Sequence, residues 1–111
     1  MYTVYLADDE QLIREGLAET IPWESLRMRL VGTAEDGRHA LRGIREHKPD
    51  IVLTDIRMPY LDGLELIGKI REVHPSCRVV IISGHGEFTY AQSAIQLGVS
   101  DFILKPVDVT S

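Results

Sequence analysis

The stretch Ile51-Val52-Leu53-Thr54-Asp55 is a short, mostly apolar run that ends in a carboxylate. Three other runs have the same form and end in residues that can bind phosphate or metal: Tyr5-Leu6-Ala7 before Asp8 and Asp9, Val79-Val80-Ile81-Ile82 before Ser83, and Phe102-Ile103-Leu104 before Lys105. Short apolar runs separated by helical patterns are typical of a parallel sheet covered by helices on both faces. The sequence therefore predicts an α/β fold.

The polar residues that end these runs should meet at one edge of the sheet. In open α/β sheets the ligand site lies at the carboxyl ends of the strands. That edge would hold the carboxylates of Asp8, Asp9 and Asp55, together with the Ser83 hydroxyl and the Lys105 ammonium. Clustered acids repel one another unless a cation lies among them, so the pattern predicts a Mg²⁺ site with an adjoining anion site. Asp55 would be the acid placed to act as nucleophile.

Five strands and four helices are predicted from the apolar pattern. The strands are Tyr2 to Ala7, Leu30 to Ala34, a third ending at Asp55, a fourth ending at Ser83, and Phe102 to Leu104, with a turn-rich connection from Trp23 to Arg29. The inward-facing residues of the helices are Ile13, Leu17 and Ile21 in the first, Ala40, Leu41 and Ile44 in the second, Leu66, Ile67, Ile70 and Val73 in the third, and Ala91, Ala94 and Ile95 in the fourth, which runs from Phe88 to Leu97. Pro22, Pro49, Pro75 and Gly98 follow the four helices as stop signals.

Length and charge restrict the possible functions. At 111 residues the chain suits one domain, residues 1–111, with no room for a second. No apolar stretch could span a bilayer and the start lacks the features of a signal peptide, so we expect a cytoplasmic protein with no membrane partner. The formal net charge of −5 argues against direct contact with a nucleic-acid backbone, so any DNA contact must come from another domain.

The thiol and imidazole groups do not indicate a second kind of site. The single cysteine, Cys77, excludes an intramolecular disulfide, and its position before an apolar run favours a structural thiol. The four histidines show no metal-ligand spacing.

Four segments, taken together, resemble the receiver domain of two-component response regulators. They are Ala7-Asp8-Asp9-Glu10, Thr54-Asp55-Ile56-Arg57-Met58-Pro59-Tyr60-Leu61-Asp62-Gly63, Ile82-Ser83-Gly84, and Asp101-Phe102-Ile103-Leu104-Lys105-Pro106. The resemblance extends from Val4 to about Asp108. It implies a flavodoxin-like, doubly wound, five-stranded parallel sheet.

The resemblance also implies a metal site with specific ligands. Asp55 would be the phospho-acceptor. Asp9, Asp55 and the backbone carbonyl of Arg57 would bind Mg²⁺ directly, and Asp8 would bind it through water. Each acid also has an ordinary explanation, since carboxylates favour helix starts, as at Asp8 and Asp9, and strand-end turns, as at Asp55.

Further roles follow from the resemblance at the phosphoryl end of the site. Ser83 and Lys105 would neutralise the phosphoryl oxygens, with the peptide between Lys105 and Pro106 in the cis form. Ser83 and Phe102 would form a switch in which Phe102 enters space that Ser83 leaves. Lys105 could equally be a solvated strand end, and Phe102 a core aromatic.

Two loop residues would tune the lifetime of the phosphoryl group. They are Arg57 and His85, although both could also be ordinary solvated residues.

The function implied is that of a receiver. It would take a phosphoryl group from the phosphohistidine of a sensor histidine kinase onto Asp55, with Mg²⁺ as the cofactor, and signal through its fourth helix and fifth strand to a DNA-binding effector that regulates transcription. It would catalyse only its own phosphorylation and dephosphorylation, so it is not expected to be an enzyme in the usual sense.

Three alternatives belong to other classes. An aspartate-nucleophile phosphatase of the haloacid-dehalogenase type needs a second aspartate two residues after the nucleophile, where this chain has Arg57. A flavodoxin-like cofactor binder needs a phosphate loop after the first strand, where the acids at positions 8–10 would repel phosphate. A receiver-shaped module that is never phosphorylated stays open.

Two further segments and the last residues of the sequence suggest which kind of regulator this domain comes from and whether it forms a homodimer. Pro22-Trp23-Glu24 and Pro106-Val107-Asp108 resemble receivers fused to arabinose-activator-type helix-turn-helix regulators. The sequence stops at Ser111, where receivers continue into a fifth helix, so we expect that helix to be truncated or missing. The apolar sheet surface left exposed would favour self-association, which makes a homodimer a predicted partner state.

Overall fold

A five-stranded parallel sheet forms the centre of the computed structural model, which describes residues 1–83, 92, 98 and 101–104. The strands are β1 (Tyr2–Ala7), β2 (Met28–Ala34), β3 (Ile51–Asp55), β4 (Arg78–Ser83) and β5 (Asp101–Leu104). Their order in the sheet is β2-β1-β3-β4-β5, and every pair is parallel. This order is flavodoxin-like, with the direction of winding reversing between β1 and β3. The predicted fold class is confirmed.

Three helices connect the strands within the described ranges. They are α1 (Gln11–Thr20), α2 (Gly37–His47) and α3 (Gly63–Val73). The side chains of Asp36 and Asp62 cap α2 and α3, accepting hydrogen bonds from the amides of His39 at 2.8 Å and Glu65 at 2.9 Å. Apart from Gln92, the predicted helix from Phe88 to Leu97 lies outside the described residues, as does everything after Leu104.

The apolar core lies on both faces of the sheet, as the sequence pattern predicts. Along β1, Tyr5 and Ala7 pack on the face covered by α2 and α3, whereas Leu6 packs on the face covered by α1 with Leu17. Leu6 and Ala7 have no exposed surface. Alternation of this kind buries both sides of a strand and explains why the strands read as continuous apolar runs.

Two sequence predictions about these elements are wrong. β2 begins at Met28 instead of Leu30, because the Tyr2 amide bonds to the Arg27 carbonyl at 2.9 Å and pairing starts at once. Val73 does not face inward: it is 37% exposed at the last position of α3. His74, which follows it, turns its ring to the Pro49 carbonyl, 2.7 Å away.

Arg71 joins three parts of the chain through its guanidinium group. It donates to the carbonyls of Pro75 at 3.2 Å, Cys77 at 2.5 Å and Gly98 at 2.7 Å. Cys77 beside it is buried, and that burial raises the pKa of its thiol to about 11. The thiol therefore stays protonated at neutral pH, which fits the structural role predicted for it.

No helix among the described residues is long and apolar enough to cross a membrane.

Two glycines of α3 provide a matched test of how this helix docks. A Cβ at Gly63 would overlap the Asp55 carbonyl oxygen and lie 2.7 Å from the Ile56 Cα atom, whereas a Cβ at Gly68 meets nothing within 4 Å. We expect Gly63→Ala to lower the free energy of unfolding by about 2 kcal/mol. Gly68→Ala should raise it by about 0.5–1 kcal/mol, as alanine replaces glycine in an open helical position. Urea unfolding measures both, and equal changes in the two variants would contradict this packing.

Candidate metal site at the carboxyl edge of the sheet

Four carboxylates meet where β1 and β3 end. Asp8, Asp9, Glu10 and Asp55 each offer an oxygen, and these atoms all lie within 4.8 Å of one another. Asp8 is 0% exposed and Asp55 is 2% exposed, whereas Asp9 and Glu10 lie at the surface. The cluster forms because Ala7 and Thr54, the residues before the acids, are partners in the parallel ladder. The structure thus brings together the three acids that the sequence places at one edge, and adds Glu10.

Asp8 is oriented by the start of the loop that follows it. Its Oδ1 atom accepts the Glu10 amide at 2.9 Å, and its own amide donates to the Ala34 carbonyl at 3.0 Å. Arg14 donates to the Asp8 carbonyl at 2.8 Å. Asp8 does not cap α1, because the N-cap residue is Glu10, without a side-chain cap hydrogen bond. The Asp8 carboxylate still accepts an amide directly before the helix, so its explanation as a helix-start residue stays open beside the metal-binding one.

Asp55 is held at the opposite side of the cluster. Its Oδ1 atom accepts the Ile56 amide at 2.7 Å, and the Thr54 hydroxyl donates to its backbone carbonyl at 2.9 Å. Thr54 is itself fully buried. The first bond orients the buried carboxylate within the acidic cluster, and the second holds the backbone beside it.

The loop after Asp55 lies beside the cluster and is tied at both ends. The Gly63 amide donates to the Ile56 carbonyl, and Asp62 caps the helix that follows. A depression of about 320 Å³ lies over this loop, lined by Asp9, Arg57, Met58, Pro59 and Asp62. A small ion can therefore reach Asp9 from solvent.

The donor set suits a hard divalent cation. Carboxylate and carbonyl oxygens are the ligands that Mg²⁺, Ca²⁺ and Mn²⁺ prefer in proteins. Two buried acids beside two exposed ones also carry like charges that repel at this distance, which a cation would relieve. The residues present therefore fit the predicted Mg²⁺ site.

The phosphoryl end of the predicted site is only partly within the described residues. The backbone of Ser83 ends β4 opposite Leu104, and Phe102 pairs with Ile81. Their side chains lie outside the description, as do Lys105, Pro106 and His85 entirely. Arg57 is exposed at the edge of the depression.

Residues 4–111 match the response regulator receiver domain family. The chain is a response regulator receiver domain. The sheet order, the carboxylate cluster and the family match agree on this assignment.

Relatives support the same assignment. The receiver is 48% identical over 106 residues to an uncharacterized transcriptional regulatory protein, YesN of Bacillus subtilis, covering 96% of this chain and 29% of the relative. It is similar, at a TM-score of 0.93 and 45% identity, to the REC domain of AraT, a response regulator from Geobacillus stearothermophilus, covering 97% of this chain and 84% of that one. A third neighbour is the CheX-CheY-BeF3-Mg complex from Borrelia burgdorferi, at a TM-score of 0.86 and 30% identity, covering 97% of this chain and 81% of that one.

The receiver spans less than half the length of the curated relatives it matches. It covers 29% of the length of YesN and 42% to 43% of the length of two other relatives. The AraT likeness supports the suggested arabinose-activator type.

A second group of possible ligands lies at the start of α2. Glu35, Asp36 and His39 offer atoms within 4.8 Å of one another. Asp36 is buried, and its carboxylate is already engaged by the His39 amide at 2.8 Å and the His39 ring at 2.7 Å. Burial acts to raise the pKa of Asp36, but these hydrogen bonds outweigh it and hold the pKa below its ordinary value. Asp36 therefore serves as the N-cap of α2.

The cap predicts a pH dependence. A carboxylate whose pKa is lowered on folding stabilises the folded state fully above its unfolded pKa, near 4, and loses this contribution as the pH falls through the folded value. Asp36→Asn keeps a capping oxygen but does not titrate. Its free energy of unfolding should be lower than that of wild type at pH 7, and the difference should shrink below about pH 4. Asp36→Ala should lose a further 1 kcal/mol or so with the cap.

Urea unfolding at several pH values measures these differences. A gap between wild type and Asp36→Asn that stays constant down to about pH 3 would contradict the lowered pKa.

Proposed function

We propose that this receiver accepts a phosphoryl group on Asp55 from the phosphohistidine of a sensor histidine kinase, in a reaction that requires Mg²⁺. The observation that carries the proposal is the position of the buried Asp55 carboxylate at the end of β3, within 4.8 Å of ligand oxygens on Asp8, Asp9 and Glu10. A nucleophile in such a cluster can meet an anionic donor only if cations offset the charge.

The chain's own residues have separate roles in this reaction. Asp9, Asp55 and the Arg57 carbonyl would hold Mg²⁺, with Asp8 acting through water. The bound ion would supply charge neutralisation on the phosphoryl oxygens, the main requirement of phosphoryl transfer. An Asp55 oxygen forms the new bond to phosphorus while the bond from phosphorus to the histidine nitrogen breaks. The Ile56 amide on Oδ1 holds the carboxylate in one orientation for that attack.

Similar proteins support the metal in this proposal. The CheX-CheY neighbour was solved as a complex with BeF3 and Mg, and it shares the fold of this receiver. Ser83 and Lys105 would contact the phosphoryl group, with the peptide before Pro106 in the cis form. Ser83 and Phe102 would act as the switch, and Arg57 and His85 would tune the lifetime of the phosphorylated state.

The output would be transcriptional. YesN is named as a transcriptional regulatory protein, and the receiver corresponds to 29% of its length. We infer that the partners are a sensor kinase and a DNA-binding effector in the rest of a longer regulator. Phosphoryl transfer would take place in the cytoplasm, and two receivers would associate into a homodimer. The receiver would catalyse only its own phosphorylation and dephosphorylation.

A direct test is phosphorylation by acetyl phosphate, read by intact mass. Wild type should gain one phosphoryl group with Mg²⁺ and none in EDTA, because the acidic cluster repels an anionic donor. Asp55→Asn should gain none. Asp62→Asn is the matched control, since it changes a neighbouring aspartate to another residue that can cap α3, and it should still be phosphorylated. Phosphorylation of Asp55→Asn, or of wild type in EDTA, would reject the proposal.

The metal site itself predicts a change in stability. Without metal, Asp9→Asn removes one charge from the cluster and should raise the free energy of unfolding by about 1 kcal/mol. With Mg²⁺ the variant should show a much smaller stabilisation than wild type, because a ligand is lost. Glu19→Gln changes an exposed carboxylate of α1 outside the cluster and serves as the control. Equal urea midpoints of Asp9→Asn and wild type in EDTA, or an undiminished Mg²⁺ response, would count against the site.

A further inference from the structure

Three locally unfavourable features coincide beside the metal site. Tyr60 has a backbone φ of 69°, in the left-handed region that residues other than glycine and asparagine rarely adopt. Its ring is 73% exposed. Arg38 lies in the first turn of α2, where the positive end of the helix dipole disfavours a cation. Residues held in strained backbone conformations cluster at functional sites, so the coincidence requires a cause.

The two residues contact each other. The Arg38 Cζ atom lies 4.1 Å from the centroid of the Tyr60 ring, well within the range of a cation–π interaction. The stack joins α2 to the loop between β3 and α3. The stack gives the exposed ring a partner. The attraction between the Arg38 cation and the ring also offsets the unfavourable interaction of that cation with the helix dipole.

One backbone hydrogen bond beside the stack joins the same two elements, and a second closes a turn within the loop. The Gly37 amide donates to the Pro59 carbonyl at 3.4 Å, and the Leu61 amide donates to the same carbonyl at 2.8 Å. A Cβ at Gly37 would overlap the Leu61 carbonyl, so α2 approaches the loop as closely as a glycine permits. The first bond is long, so the backbone alone is a weak tether.

The proposed metal-binding carbonyl belongs to Arg57, two residues before the part of the loop held in this way. The ends of the loop are fixed at Asp55 and at the Asp62 cap, but Arg57 lies between them. Pro59 and Arg57 line the same depression as Asp9. Whatever fixes the backbone from Pro59 to Leu61 therefore also restricts where the Arg57 carbonyl can point.

We propose that the Arg38–Tyr60 stack is a positioning device that holds the β3–α3 loop in the geometry needed for Mg²⁺ binding by the Arg57 carbonyl. This inference rests on the proposed function, because it concerns the same metal site. Neither side chain would be a ligand of the ion. The strain at Tyr60 is maintained because the ring is held from α2, and a loop pre-formed in this way loses less conformational entropy when Mg²⁺ binds.

The test compares variants of the stack by Mg²⁺ titration followed through backbone amide chemical shifts. Arg38→Ala and Tyr60→Leu should each weaken Mg²⁺ binding about two- to fivefold, the range expected for an exposed cation–π contact. Tyr60→Phe keeps the ring and should bind like wild type. Arg45→Ala removes another exposed arginine of α2 and should also bind like wild type. The double variant should bind no more weakly than either single variant, because both changes remove one interaction.

Hydrogen exchange in EDTA provides a reading that does not depend on the metal. The Gly37 and Leu61 amides, which share the Pro59 carbonyl, should exchange faster in Arg38→Ala and Tyr60→Leu than in wild type or Tyr60→Phe. Tyr60→Gly separates positioning from stability. It removes the strained side chain and the stack together, so its urea midpoint should stay close to that of wild type while Mg²⁺ binding weakens.

Several results would overturn the inference. Unchanged Mg²⁺ affinity in Arg38→Ala and Tyr60→Leu would do so, as would additive losses in the double variant, or Mg²⁺ affinity that merely follows the urea midpoint. A wild-type protein that binds no Mg²⁺ would overturn both the inference and the proposed function. If wild type binds Mg²⁺ and is phosphorylated, but Arg38→Ala and Tyr60→Leu bind Mg²⁺ as tightly as wild type, only the positioning role of the stack would be rejected.

Discussion

Parallel pairing of β1 with β3 is the constraint on which the rest of the site depends. Ala7 lies opposite Thr54 in the ladder, so the residues that follow the two strands must emerge at the same edge. Four carboxylates consequently lie within 4.8 Å of one another, two of them buried. Like charges at that distance cost free energy, and a cation bound among them would offset it. The nearby backbone amides donate to the carboxylates of Asp8 and Asp55 and orient them within the cluster.

Much of this arrangement could be predicted from the sequence because it follows from local patterns. A strand buried on both faces leaves a continuous apolar run, as in β3, and parallel strands bring their carboxyl ends to one edge. The meeting of Asp8, Asp9 and Asp55 needs only these two facts. The start of α2 is equally local, because Asp36 before Gly37 is a strong capping signal.

What could not be predicted depends on partners that are distant in the chain. β2 starts earlier than its apolar pattern because Tyr2 pairs with Met28 across the sheet. The stack of Arg38 on Tyr60 joins a helix start to a loop, and neither position belongs to a periodic pattern. Glu10 in the acidic cluster is indistinguishable in sequence from an ordinary residue before a helix. Side-chain contacts between non-adjacent elements carry no signature in a single sequence.

The close contact between Gly63 and the end of β3 has a consequence for how the chain can vary in length. Surface loops usually accept insertions at small cost. Here the Gly63 amide closes a ring onto the Ile56 carbonyl, and the helix begins against the backbone of Asp55 itself. One residue more or fewer between positions 56 and 63 would change the size of this ring, while Leu66, Ile67 and Ile70 on the helix must stay in the core. The length of the loop beside Asp55 is therefore restricted by the packing of the helix that follows it.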